Sequence, residues 1–175
     1  MTASYDNILA ELNAASSRAR SAEELMRAVV AGLAQVCAFN WVGFYMIEQG
    51  RAGEPEEMLV LGPFTGADTP HKRIPLNQGI CGAAASSGDT VVVDDVHSDP
   101  RYLACSIETK SEIVVPIRVR GEVVGELDID SHTPSAFQRR ERELVERCAE
   151  LFGRFMEQHG AQSVGSSDTR AGQRG

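Results

Sequence analysis

The chain has 175 residues, 42% of them hydrophobic and 24% charged, enough for one domain with its own core. Its formal net charge of −8 excludes the broad basic field that a nucleic acid or an anionic membrane surface would need. The one basic cluster, Arg139, Arg140 and Arg142, sits among glutamates and reads as a solvated helix face.

The chain opens without a basic start or an apolar run, so no secretory signal is expected. No stretch approaches the roughly 20 apolar residues of a membrane span. A cytoplasmic location follows as the expectation, with Cys37, Cys81, Cys105 and Cys148 reduced and none of them in a CxxC pair.

Tyr5, Ile8, Leu9 and Leu12 recur at helical spacing within residues 4–20. Ser21 and Glu24 form a capping box that starts a second helix. Its stripe is Met26, Val29, Val30, Leu33, Val36 and Cys37. From Asn40 the pattern changes. Residues 41–47 are aromatic and β-branched, as a strand requires. A polar turn over 50–55 leads to a second strand over 58–64, antiparallel to the first. A Gly/Pro-containing loop over 65–80 follows. The small-residue run from Ile80 to Ala85 reads as a helix stopping at Gly88, and 90–93 as a short strand. Residues 94–110 form a second long polar segment, and loops of that length usually carry function. Two apolar runs, 113–120 and 123–130, flank Gly121-Glu122 as a β-hairpin. Pro116 marks an edge or an irregularity in the first of them. Ser135 is the expected N-cap of a last helix over 136–158, with Leu144, Cys148, Leu151, Phe152 and Phe155 on its buried face. The Ser/Gly/Gln/Arg-rich tail over 161–175 reads as disordered. The fold class is therefore α+β: an antiparallel sheet with N- and C-terminal helices on one face and pocket loops on the other, in a single domain over 1–160.

Strand 126–130 carries an internal conflict. Leu127 and Ile129 point to one face, and Glu126, Asp128 and Asp130 to the other. Such a face is commonly a solvent-facing sheet surface. The second reading is a pocket floor whose crowded carboxylates need a cation. Cys37 and Cys148 read as core residues. Cys81 opens a small-residue helix, which suits either close packing or a thiol of lowered pKa. Cys105 stands apart in the polar loop Tyr102-Leu103-Ala104-Cys105-Ser106. His132 and His159 read as surface residues. No metal site is expected, because His71, Cys81, His97 and Cys105 match no zinc spacing.

The strings NWVGFY (40–45), LGPF (61–64), RIP (73–75), GICG (79–82), DVH (95–97), AC (104–105), SEIVVP (111–116) and LDIDS (127–131) together resemble the free methionine-R-sulfoxide reductases, which are stand-alone GAF-domain enzymes. The similarity runs in order over about residues 20–158. The resemblance implies that Cys105 is the nucleophile and Cys81 a second pocket cysteine. It implies that Glu112, Asp128 and Asp130 bind the substrate, with Trp41 and Tyr45 as aromatic wall. His71 stands where the family has its usual resolving cysteine, and Glu126 where an apolar residue is more usual.

The implied reaction is attack of the Cys105 thiolate on the sulfur of free methionine sulfoxide, leaving methionine and a sulfenic acid. A carboxyl would protonate the departing oxygen. The sulfenic acid would then condense with a second thiol, Cys81 being the first choice and an external small thiol the next. No bound cofactor is expected. Thioredoxin-like or small-thiol reductants and a homodimer are the expected partners. A non-catalytic binding module and a thiol redox sensor are the alternatives.

Overall fold

The computed structural model describes residues 4–104 and 106–160. Cys105 and the tail over 161–175 lie outside them, so the expectation of a disordered tail does too. The elements are α1 (Tyr5–Arg18), α2 (Ala22–Leu33), β1 (Trp41–Gln49), β2 (Glu57–Thr65), β3 (Arg73–Pro75), α3 (Gly79–Ser87), β4 (Val91–Val93), β5 (Ser111–Val119), β6 (Glu122–Ser131) and α4 (Arg139–His159). The six strands form one sheet in the order β3-β2-β1-β6-β5-β4, antiparallel at every junction. This is the expected α+β arrangement.

Alternation along the strands divides the molecule into two apolar layers. Phe44, Ile113, Ile117, Leu127 and Ile129 face α1, α2 and α4. There the ring of Phe44 meets that of Phe152 with centroids 5.1 Å apart. Each such fully buried side chain stabilises the fold by about 1.5–3 kcal/mol. Trp41, Tyr45, Leu59, Ile80, Cys81 and Val114 lie in the smaller layer on the opposite face, under α3. None of the described helices is long and apolar enough to cross a membrane.

Local chemistry explains most boundaries. Ser21 Oγ accepts from Glu24 N–H at 3.2 Å, while the Glu24 carboxylate accepts from Arg20 N–H at 3.0 Å, one residue earlier than in the standard capping box. The hairpin turn is Arg120-Gly121, one residue before the expected Gly121-Glu122. Val119 pairs with Glu122, and both turn residues have positive φ, 52° and 84°, as a two-residue type I′ turn requires. Pro116 is tolerated because β4 ends its pairing at Val91↔Val114, leaving β5 a local edge beyond that point.

Three expectations are corrected. Cys37 is exposed, not core, because α2 ends at Leu33 and the following turn sends Val36 inward in its place. Ser135 does not cap α4. It takes φ 52° and donates its N–H to Asp94 O at 3.0 Å. This lets Phe137 reach Phe39, centroids 5.5 Å apart, before the helix begins at Arg139. The loop over 65–80 contains a short edge strand, β3. Ile74 is buried there, and Arg73 is paired with Glu54 at 2.6 Å.

Candidate active site

The pairing of β5, β6 and β1 assembles the acidic face. Asp130 lies opposite both Glu112 and Trp41, Asp128 opposite Gly43, and Glu126 opposite Tyr45. Directly paired side chains on one face have Cβ atoms about 4.5–5.5 Å apart, so four carboxylates from two strands share one small area. They are not solvent-facing. Glu126 is 0% exposed, and Glu112, Asp128 and Asp130 are each 5% exposed. The reading of this face as a solvent-facing surface is therefore overturned.

Helix α3 closes one side of the floor. Its Cys81 Sγ donates to Asp128 Oδ2 at 3.5 Å. Both Glu126 oxygens and Asp128 Oδ1 are buried without a hydrogen-bond partner. None of the four carboxylates forms an ion pair with Lys, Arg or His among the described residues. Arg101, which lies within the field of Glu112, is taken up by Asp99 at 2.6 Å.

Aromatic groups wall the other side. The Trp41 ring stacks on Phe64 and Tyr45 with centroids 5.6 and 6.3 Å apart. Gly43 makes this arrangement possible: a Cβ there would fall 2.3 Å from Trp41 Cη2. Trp41 Nε1–H donates to Ala67 O at 3.0 Å, and Tyr45 OH donates to His71 O at 2.7 Å. His71 Nε2 in turn lies 3.3 Å from Ala104 O. The loop carrying position 71 thus meets the residue that precedes Cys105 in the sequence. A cavity of about 60 Å³, lined by Trp41, Thr69, Ser106, Thr109, Asp130 and His132 among others, opens at the Asp130 end. A larger hollow of about 340 Å³ lies elsewhere, by Arg118, Glu146, Glu150 and Arg154. Neither is lined by a thiol among the described residues, but the smaller one reaches Asp130 of the floor and Trp41 of the aromatic wall, so the chemistry favours it.

Burial and crowding set the protonation of the floor. Asp130 is raised by burial to about 7. Glu112 is pushed well up by burial and then by the fields of Asp128, Asp130 and Glu126. Glu126 and Asp128 are pushed well up as well, mainly by burial; Asp128 is raised further by the field of Asp130 and partly relieved by the hydrogen bond from the Cys81 thiol. The Cys81 thiol is raised by burial first and by the Asp128, Glu126 and Glu112 carboxyls next. The reading of Cys81 as a thiol of lowered pKa is therefore corrected. Its place at the start of α3 is outweighed by the desolvated acids around it. Cys148 is buried on α4 with its thiol raised to about 12 by burial.

A measurable pH dependence follows. A carboxyl whose pKa is higher folded than unfolded holds its proton more tightly in the native state. Its contribution therefore favours folding below the unfolded value near 4 and is lost as pH rises through the folded one. For Asp130 that window runs from about 4 to about 7. In chelator-treated buffer, the Tm of the ligand-free protein is expected to fall between pH 5 and 8. Glu126→Leu, which removes a buried unpartnered acid, should start about 1–3 kcal/mol more stable and lose less. A flat or rising Tm over that range would show that the floor is not desolvated.

Of the residues singled out from the sequence, Trp41, Tyr45, Cys81, Glu112, Asp128 and Asp130 converge here. His97 does not: it is exposed on a short 3-10 turn, Val96–Ser98. Glu126, which the resemblance does not place in the site, joins them. The period-2 alternation with Asp128 and Asp130 was the signal that places it there.

The chain is similar to several known proteins. The GAF domain family model matches residues 21–155. A free methionine-R-sulfoxide reductase of Saccharomyces cerevisiae is 40% identical over 116 residues, 66% of this chain and 62% of that protein. The structure of a free methionine-R-sulfoxide reductase from Neisseria meningitidis in complex with its substrate is 31% identical. It covers 87% of this chain and 88% of its own, with a TM-score of 0.79. A type II free methionine-R-sulfoxide reductase from Thermoplasma acidophilum is 38% identical, covering 78% of this chain and 93% of its own, with a TM-score of 0.71.

Proposed function

The chain belongs to the GAF domain family and, within it, to the free methionine-R-sulfoxide reductases, and from this we propose that it reduces free methionine-R-sulfoxide to methionine with Cys105 as nucleophile. The observation that carries the reading is the buried carboxylate floor, which has no ion-paired cation among the described residues. A free amino acid supplies one. Its ammonium would sit on Glu112, Asp128 and Asp130, and its methyl and methylene groups against Trp41 and Tyr45. A peptide-bound methionine sulfoxide has no such ammonium and would leave the floor uncompensated.

The chemistry uses the floor twice. Cys105 S⁻ attacks the sulfoxide sulfur, and a protonated carboxyl of the floor delivers a proton to the oxygen as the S–O bond breaks. The protonated oxygen leaves as water and Cys105 is joined to the substrate sulfur; water then adds to the Cys105 sulfur as that S–S bond breaks, releasing methionine and a proton and leaving Cys105 as a sulfenic acid. Attack on that sulfenic acid by a second thiol expels water and leaves a disulfide. Cys81 is the candidate among the described thiols, being buried in the floor itself. Its raised pKa slows this step, so an external thiol competes with it. A thioredoxin-like or small-thiol reductant then restores both sulfurs.

The 60 Å³ cavity has room for a few waters and not for a whole amino acid, so entry requires the wall formed by Ser106, Glu108 and Thr109 to shift. A binding module that holds methionine without turnover is the second reading, favoured by the protonated, buried Cys81. The deciding assay incubates the protein with each epimer of free methionine sulfoxide and a thiol reductant, reading methionine released and the thiol state of Cys81. Turnover of the R epimer is expected. Methionine binding with no turnover of either epimer would replace the reductase reading with the module.

A further inference from the structure

We propose that the floor of this pocket is also a site for a borderline-soft divalent cation of the zinc class, held by Cys81 Sγ and one carboxylate oxygen each from Glu112 and Asp128, and that the cation excludes the substrate's ammonium. The three ligand atoms lie within 4.8 Å of one another, and all three residues are buried. The Sγ–Oδ2 separation of Cys81 and Asp128 is 3.5 Å. That is already the edge of a tetrahedron around an ion with bonds of about 2.0–2.3 Å. Glu112 lies on a strand directly paired to that of Asp128, with its ligand oxygen within 4.8 Å of the other two atoms.

A second observation points the same way. Asp128 Oδ1 and both oxygens of Glu126 are buried without hydrogen-bond partners, and Asp128 and Glu126 are 5% and 0% exposed. Buried polar atoms of this kind are satisfied in nearly every native structure. A cation at the thiol would meet Asp128 directly and leave Glu126 beside it as a fourth ligand or as the partner of a bound water. The donor set selects the ion. A thiolate with two or three carboxylates suits zinc, whereas magnesium and calcium prefer six or more oxygens.

The consequence is regulatory. The cation would take Cys81 out of thiol chemistry and occupy the carboxylates the substrate needs. This competition rests on the functional reading above, while the metal site itself does not.

Cobalt(II) is the probe, titrated into the chelator-treated full-length chain and followed by absorption. A thiolate-to-cobalt charge-transfer band is expected. It should vanish in Cys81→Ser and persist in Cys37→Ser and Cys105→Ser. Loss of outer-shell partners alone weakens metal affinity about 10–100-fold, so Asp128→Asn, which removes a ligand, should weaken it more than about 100-fold. Absence of the band in the native chain, or its survival in Cys81→Ser, overturns the site. Should Cys81→Ser fail to fold by circular dichroism, Glu112→Gln takes its place, and unchanged cobalt affinity there overturns it equally. Added methionine should weaken cobalt binding. If cobalt binds and methionine does not compete, the metal site stands and the competition is overturned. A chain that binds cobalt at Cys81 but turns over no sulfoxide upholds the site and removes the reductase reading.

Discussion

Asp128→Asn is expected to lower kcat/KM for free methionine sulfoxide by about 30- to 4000-fold, with the folded protein as stable as before or more so. The factor is the 2–5 kcal/mol lost when one partner of a buried charge pair is neutralised, converted at about 1.4 kcal/mol per decade. Asp128 is the centre of the floor. It neighbours Asp130 and Glu126 along β6, and it accepts from Cys81. Asparagine keeps the shape and the carbonyl acceptor for the thiol. It removes one charge from a set that repels itself when empty, so stability should not suffer. The loss should fall on substrates carrying a free ammonium. With an N-acetylated methionine sulfoxide, the native chain and the variant should be equally poor. Steady-state kinetics with both substrates, beside a thermal melt, measure this. A variant within threefold of the native chain on the free amino acid would remove the ammonium from the floor.

Cys105→Ser is expected to reduce methionine formation to background while methionine itself still binds. Reduction of a sulfoxide takes two electrons, and in this chemistry one sulfur atom supplies them by becoming a sulfenic acid. A serine oxygen cannot accept that oxidation state, and its proton is held far more tightly than a thiol's. The binding wall of Trp41, Tyr45, Glu112, Asp128 and Asp130 is built from β1, β5 and β6 and is untouched by the exchange. Calorimetry with methionine and the epimer-resolved turnover assay separate the two effects. Retained turnover would move the nucleophile to another thiol, Cys81 first. A native chain that binds methionine, forms none, and yet oxidises reversibly with peroxide would be a redox sensor.

How far the sequence reached depended on what each signal reports. Periodicity reports which face of an element is buried. The stripe on α4 and the Leu127–Ile129 alternation were therefore readable directly, and both face the larger core. Periodicity does not report what lies beyond the opposite face. Glu126, Asp128 and Asp130 read as a solvent-facing sheet surface or as a pocket floor, and the composition of strand 126–130 fits either. The short elements were the least legible. Three-residue β3 has no alternation to detect; it forms because Ile74 is buried and Arg73 finds Glu54. The sequence does not show where α4 starts, because Ser135 has the side chain of a cap but takes φ 52° and the helix begins at Arg139. Burial of Phe137 against Phe39 set the actual boundary.

The sequence by itself determined the α+β class, the apolar stripes of the helices, and the set of side chains able to do chemistry. Each of these follows from local pattern or residue type. Tertiary structure decided what that chemistry can be. Helix α3 and the loops over the acidic face withdraw four carboxylates from water. Desolvation then raises Asp130 to about 7 and drives Cys81 upward. Those shifts depend on what packs above the strand, which no spacing within it encodes. They turn a run of alternating acids into a buried floor that holds protons.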